Sequence, residues 1–162
     1  MEETIRIDTF VVTLRSAGLG EIVDLRWAVL RTGLPRDWAV FDGDEHPATR
    51  HFAAVAGWQV VGCATFMRNP FESRDAWQLR GMATSEAFRG KSVGARLLSF
   101  ATQRVLEEFR PTLLWCNARA PAVKFYEQQG WRVVSEEFEI PTAGPHRRMT
   151  REFNASATQA SR

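Results

Sequence analysis

From Gln78 to Gly94 the chain passes out of a β-type run, through a short polar turn, and across Arg89-Gly90-Lys91 directly into a helix. N–H groups at a helix start are unpaired, point outward and carry partial positive charge, so a strand-to-helix passage of this kind can cradle a phosphate or pyrophosphate. Gly90 and Gly94 let the backbone approach a ligand closely, and Arg89 and Lys91 add formal charge. The plainer reading is a tight turn carrying surface cations. Gly90-Lys91-Ser92 is not a Walker A loop, because the first glycine of that pattern falls on Ser85. No GxGxxG run supports a dinucleotide fold either.

The remaining elements follow from periodicity and punctuation. Residues 9–14 read as a first strand, and 18–30 as a helix stopped by Gly33 and Pro35. The stretch 35–49 reads as an irregular loop, with Asp42-Gly43-Asp44-Glu45 as its solvated acidic run; Arg26 and Arg31, near the end of the preceding helix, read first as solvated positions and second as residues facing an acceptor site. Strands are expected at 51–56 and 59–68, joined at Gly57-Trp58, and at 76–84. A helix over 92–109 buries Val93, Leu97, Leu98, Ala101, Val105 and Phe109. Residues 112–117 form a continuous apolar run that suits a strand covered on both faces. A last helix has Pro121 in its first turn and Gly130 past its end, and strands at 132–140 and 146–153 close the chain. The expected class is α/β (α+β): a mixed sheet with helices on its faces, built as one domain over residues 1–153 with a frayed tail at 154–162.

Composition narrows the function classes. In 162 residues, 44% are hydrophobic and 25% charged, and 21 cationic side chains against 19 acidic ones give a net charge of +2. That balance offers no electrostatic case for a nucleic-acid or membrane partner. The acidic start at Glu2-Glu3 is unlike a signal peptide, no segment has membrane-spanning length, and the three histidines show no metal-ligand spacing, so a cytoplasmic, metal-free protein is expected. Cys63 and Cys116 sit in apolar runs and read as buried, inert thiols.

Two motifs in this order resemble a family. Arg89-Gly90-Lys91-Ser92-Val93-Gly94-Ala95 is similar to motif A of the GNAT N-acetyltransferases, Arg/Gln-x-x-Gly-x-Gly/Ala, and a strand of the right length precedes it. Residues 118–131 resemble the second signature, an alanine-bearing helix ending in Tyr-Glu-x-x-Gly-Phe, with Trp131 in place of the Phe. The resemblance spans residues 5–153. It implies a mostly antiparallel central sheet of about seven strands whose fourth and fifth strands, 76–84 and 112–117, splay apart around acetyl-CoA.

The family's mechanism, direct attack of an amine on the thioester, is implied as well. Met82, Ala83 and Thr84 would pair with the pantetheine arm. A backbone N–H near Met82 or Ala83 would steady the oxyanion. The amides of Arg89, Gly90, Lys91, Ser92, Val93, Gly94 and Ala95 would hold the pyrophosphate. Tyr126, the one tyrosine in the chain, falls on the position whose hydroxyl meets the sulfur and would serve as general acid. Glu45, Asp42 and His146 are the candidate bases for an amine that is mostly protonated at neutral pH.

The chain departs from the pattern twice. Ser92 replaces the first internal glycine; it is expected to stay helical with its hydroxyl on a phosphate, since a left-handed backbone would cost about 1–2 kcal/mol. Arg119 replaces an Asn found in many relatives and would reach the phosphates. The acceptor is a small-molecule or protein amine, cationic if Asp42, Asp44 and Glu45 select it. The alternatives are a non-catalytic CoA-binding module or a transferase for longer acyl-CoAs, in each case as monomer or homodimer.

Overall fold

The computed structural model describes residues 1–154; the expected frayed tail, apart from Asn154, lies outside the described residues. The chain begins with an antiparallel hairpin, β1 (Glu3–Ile7) and β2 (Phe10–Ala17). Helix α1 (Leu19–Leu30) follows, its start fixed by Glu21 Oε2 accepting the Gly18 N–H at 2.7 Å. The next three strands, β3 (Arg50–Ala56), β4 (Gln59–Arg68) and β5 (Trp77–Thr84), form a meander. Then come α2 (Val93–Phe109), β6 (Leu113–Arg119), the short α3 (Val123–Gln128), β7 (Arg132–Val133), β8 (Phe138–Ile140) and β9 (Gly144–Glu152).

All nine strands join one sheet in the order β1-β2-β3-β4-β5-β6-β9-β7, with β8 also on β9. Every pairing is antiparallel except β5 with β6. Alternate residues face opposite layers, as a pleated strand requires. Ala53, Val55, Cys63 and Ala83 pack with Ile22 of α1, while Phe52, Ala54, Val61 and Ala64 pack with Val93, Leu97 and Ala101 of α2 and with Tyr126 of α3. Both faces are therefore covered, which is why β4 is buried along nearly its whole length.

The sheet differs from the sequence expectation at two places. Residues 3–7 form an extra strand, with Ile5 and Ile7 buried at period two and Asp8, at φ 52°, turning the hairpin. Residues 132–140 form two short strands. Between them the Ser135 hydroxyl accepts the Arg148 N–H at 2.8 Å, taking the place of a ladder carbonyl.

Candidate functional site

β5 and β6 pair only at Trp77↔Leu114 and Gln78↔Trp115 and then diverge, the splay expected of the fourth and fifth strands counted from sequence. The cause lies in β5. Its register against β4 slips between Arg80 and Ala83, so Gly81 and Met82 bulge opposite Ala64. Gly81 takes φ +62°, and a Cβ there would meet the Nε of Arg26 at 2.5 Å and the Phe41 ring at 3.1 Å.

Two cavities open where the strands part. The larger, about 590 Å³, lies between the end of β5, the start of α2 and the flank of α3. The smaller, about 210 Å³, lies between β5, β6, the end of α1 and the β8–β9 hairpin. Both are lined by Met82, Ala122 and Tyr126, so these residues stand where the two meet.

The larger cavity gathers most of the residues singled out in the sequence: Met82, Ala83, Thr84, Arg89, Gly90, Ser92, Val93, Gly94, Ala95 and Tyr126. Among the described residues the N–H groups of Val93, Gly94 and Ala95 find no backbone partner; the first amide bonded within this turn is Arg96, to Ser92 O. A Cβ on Gly94 would sit 3.3 Å from Thr84 Oγ1 and crowd the cradle that these amides form. The residues present thus fit a phosphate-bearing ligand on this helix start.

Ser92 corrects the expectation: it is left-handed, at φ 67° and ψ 7°, and its side chain caps nothing. Gly90, at φ 70°, shares the reversal that carries the chain from the 3-10 turn Glu86–Phe88 into α2. Lys91 lies outside the cavity, its Nζ 2.7 Å from Asp8 on the β1–β2 turn. Arg89 ties the loop to the strand end, Nε donating to Thr84 O at 3.2 Å.

Arg119 lies away from this loop. It lines the smaller cavity and its Nη2 donates to Leu30 O at 2.9 Å, because β6 carries it toward the end of α1. His146 lines the same cavity and is 4% exposed. Its Nδ1 lies 2.7 Å from Gly144 O, and a carbonyl accepts only, so Nδ1 bears a hydrogen, and in the neutral ring the lone pair is the one on Nε2. Glu45 and Asp42 are exposed and line neither cavity.

The acidic run is not wholly solvated, and Arg26 is not a solvent-facing helix position. Arg26 is fully buried and pairs with Asp44 through Nη1–Oδ2 at 2.6 Å and Nη2–Oδ1 at 3.0 Å. Asp44 also accepts the Phe41 N–H at 2.6 Å, and Arg26 donates to Ala39 O and Thr65 Oγ1. Asp44 is thereby committed to folding the loop behind the smaller cavity, not to selecting a cationic acceptor.

Tyr126 is 8% exposed, and its hydroxyl makes no hydrogen bond among the described residues. Burial, with Cys116 beside it, pushes its phenol well above the ordinary value, so it stays protonated. Burial pushes the Cys63 thiol up to about 12 and raises Cys116 as well, so both are free thiols rather than thiolates. Sequence reading missed Arg80 and Phe41, which also line the smaller cavity. Arg80 left a signal, the one charged residue of its strand.

Among the described residues no cluster of three or more His, Cys, Asp or Glu could hold a metal ion, and no helix is long and apolar enough to cross a membrane. The sequence model of the acetyltransferase (GNAT) family matches residues 20–131, which include both motifs. An uncharacterized N-acetyltransferase of Bacillus subtilis (strain 168), YitI, is 25% identical over 139 residues, covering 84% of this chain and 93% of its own. Among solved structures, Escherichia coli ElaA superposes with a TM-score of 0.74 at 22% identity, covering 87% of this chain and 99% of its own. A GNAT family acetyltransferase from Elizabethkingia anophelis with acetyl-CoA bound gives 0.65 at 14%, covering 88% and 98%. Those two likenesses speak for the fold, whereas the family match covers more than half of the chain and both of its motifs. The chain belongs to the GNAT acetyltransferase family.

Proposed function

We propose that this protein is an acetyl-CoA-dependent N-acetyltransferase that transfers the acetyl group by direct attack of an amine on the thioester. The observation that carries the reading is the meeting of two cavities at Tyr126, one of them floored by unpartnered helix-start amides. The amides of Val93, Gly94 and Ala95 would hold the pyrophosphate. Beyond Gln78, the β5 edge that has left β6 would pair with the pantetheine arm as an added strand. The N–H groups at the Gly81–Met82 bulge would face the developing oxyanion.

The acceptor enters from the smaller cavity. Its nitrogen forms the C–N bond as the C–S bond breaks, and the proton it loses goes to Nε2 of His146 rather than to Glu45. Tyr126 donates a hydrogen bond to the departing sulfur. A phenol raised this far is a weaker acid than a thiol of pKa about 8.5, so its role is to stabilise the leaving thiolate more than to transfer a proton outright. Arg119 would serve the acceptor and not the phosphates.

A thermal-unfolding series with acetyl-CoA tests the binding half. At about one hundred times the dissociation constant the native state gains about 2.7 kcal/mol, a rise on the order of 5–10 °C for a domain of this size. Tyr126→Phe tests the catalytic half: kcat falls by about 10²-fold or more while the acetyl-CoA shift is kept. Full turnover in that variant would remove Tyr126 from the mechanism. No shift in the wild type would remove the cofactor.

A further inference from the structure

The smaller cavity carries three arginines from distant parts of the chain. Arg31 lies just past α1, Arg80 on β5 and Arg119 at the end of β6. Nη1 of Arg31 and Nη2 of Arg119 both donate to Leu30 O, each at 2.9 Å, so two guanidinium groups converge on one oxygen. The guanidinium carbons of Arg31 and Arg80 each stand 4.9 Å from the centre of the Phe41 ring. Arg31 is the hinge of the cluster, sharing a carbonyl with one neighbour and a ring with the other.

Asp44 and Asp42 act on Arg80 only from a distance, and among the described residues no carboxylate pairs with any of the three. Among the described residues none of the three forms an ion pair, and no aspartate or glutamate lines the cavity. Arg26 behind them is paired with Asp44, while the exposed Asp42 hydrogen-bonds Arg80 through its carbonyl oxygen, at 3.3 Å, and not through its carboxylate. A guanidinium has five N–H donors, and each of the three uses one nitrogen in the contacts above. Among the described residues none of their remaining nitrogens is buried without a partner, so these keep access to solvent or a ligand. Burial, and then the charges of Arg119, Arg80 and Arg26, lower Arg31 from its ordinary value, as cations crowded without a counter-ion require.

Planar forks of this kind match carboxylates and phosphates bidentately. We infer that the acceptor amine also carries an oxyanion, in first place a carboxylate, held by Arg31, Arg80 and Arg119. At about 210 Å³ the cavity is smaller than the usual drug-sized site of about 300–1,000 Å³, so the part of the acceptor that enters it has the size of a small amino acid. The inference rests on the N-acetyltransferase reading and narrows its acceptor, reversing the cationic acceptor suggested by the acidic run.

The test uses the full chain with acetyl-CoA and matched acceptors: glycine against glycinamide, β-alanine against propylamine, O-phosphoethanolamine against ethanolamine, and putrescine as a cation. The anionic member of a pair is expected to show at least about tenfold higher kcat/KM. Preference confined to O-phosphoethanolamine would support the oxyanion and assign it as phosphate. Arg31→Gln, Arg80→Gln and Arg119→Gln are each expected to raise the anionic acceptor's KM about tenfold, leaving the KM of acetyl-CoA within about twofold. Equal or better turnover of putrescine, or unchanged KM in all three variants, overturns the inference.

A measurement independent of turnover runs beside it. N-acetylglycine should raise the unfolding temperature of the CoA-saturated protein, and N-acetylglycinamide should not. No rise with the carboxylate, or a rise that survives in all three variants, overturns the inference too. Failure of the acetyltransferase reading shows separately, as no thermal shift with acetyl-CoA itself.

Discussion

Ser92 and Gly81 are positions where the backbone leaves the ordinary regions, and the two respond oppositely to substitution. Ser92 holds φ 67° with its side chain exposed and uncapped. Relief of that backbone in Ser92→Gly is worth about 1–2 kcal/mol, offset by about 0.4–1 kcal/mol from the freer unfolded chain. A net gain of about 0.5–1 kcal/mol in urea unfolding is expected, with the acetyl-CoA thermal shift retained. Gly81→Ala should do the reverse. Its φ is +62°, and the new methyl would land 2.5 Å from the Nε of Arg26, which is buried against Asp44 and has no room to retreat. A loss of at least about 2 kcal/mol is expected, and turnover should fall with it because Phe41 and the bulge move together.

At the scale of elements, α3 shows what a six-residue helix needs from its surroundings. So short a helix is marginal alone and takes its stability from packing. Tyr126 O accepts the N–H of Gln129 at 2.9 Å and of Trp131 at 3.0 Å, and the Trp131 ring meets the Tyr126 ring edge-on at 5.8 Å. Trp131 is 3% exposed, yet among the described residues its Nε1–H has no partner. Trp131→Ala should cost about 3–5 kcal/mol and weaken the acetyl-CoA shift by releasing Tyr126. Trp131→Phe should stay within about 1 kcal/mol, since less apolar burial is offset by removal of an orphaned donor.

The strand-to-helix passage at 84–95 and the Tyr126 helix were legible in sequence because their information is local: turn residues, a period of 3.6 and a cap. The strand Glu3–Ile7 was masked by its acidic flank, and the break between β7 and β8 hung on a single hydroxyl, Ser135, acting as a carbonyl. Arg31 and Arg80 each left a hint in the sequence, but their meeting with Arg119 did not. Arg31, Arg80 and Arg119 meet only because Gly81 bends one strand away from its parallel neighbour, and no period in the sequence encodes that distance.

For the molecule as a whole, one polar network ties both halves of the early chain together and sets how stability depends on pH. Thr65 Oγ1 accepts from Arg26 and lies 2.7 Å from His51 Nδ1, while His51 Nε2 lies 2.9 Å from the Asp44 carbonyl oxygen. The carbonyl only accepts, so Nε2 carries the hydrogen; the Thr65 hydroxyl donates to Nδ1, and the ring is neutral. α1, the 42–45 loop, β3 and β4 are locked through this ring. Asp44→Ala, which strands the Arg26 charge, is expected to cost about 3–5 kcal/mol.

Burial first, and then the nearby Arg26 charge, hold His51 below its ordinary value despite the opposing pull of Asp44. The unfolded chain therefore takes up a proton at about pH 6.5 that the folded chain still refuses. Stability from this site is complete above that pH and declines as the pH falls toward the lower folded value. Glu21 and Glu108 are also lowered, by their bonds to Arg15 and Arg50, but their stabilisation is lost only below the ordinary carboxylate range, and both are exposed enough for solvent to screen them. The His51 window opens at the higher pH of the two. Unfolding temperatures measured from pH 7.5 to 5.5 should fall in the wild type and fall less in His51→Gln. Equal slopes across the upper window would mean that the fold does not shift His51, and a smaller fall in the wild type than in the variant would mean that His51 is protonated in the fold, with Thr65 accepting from it.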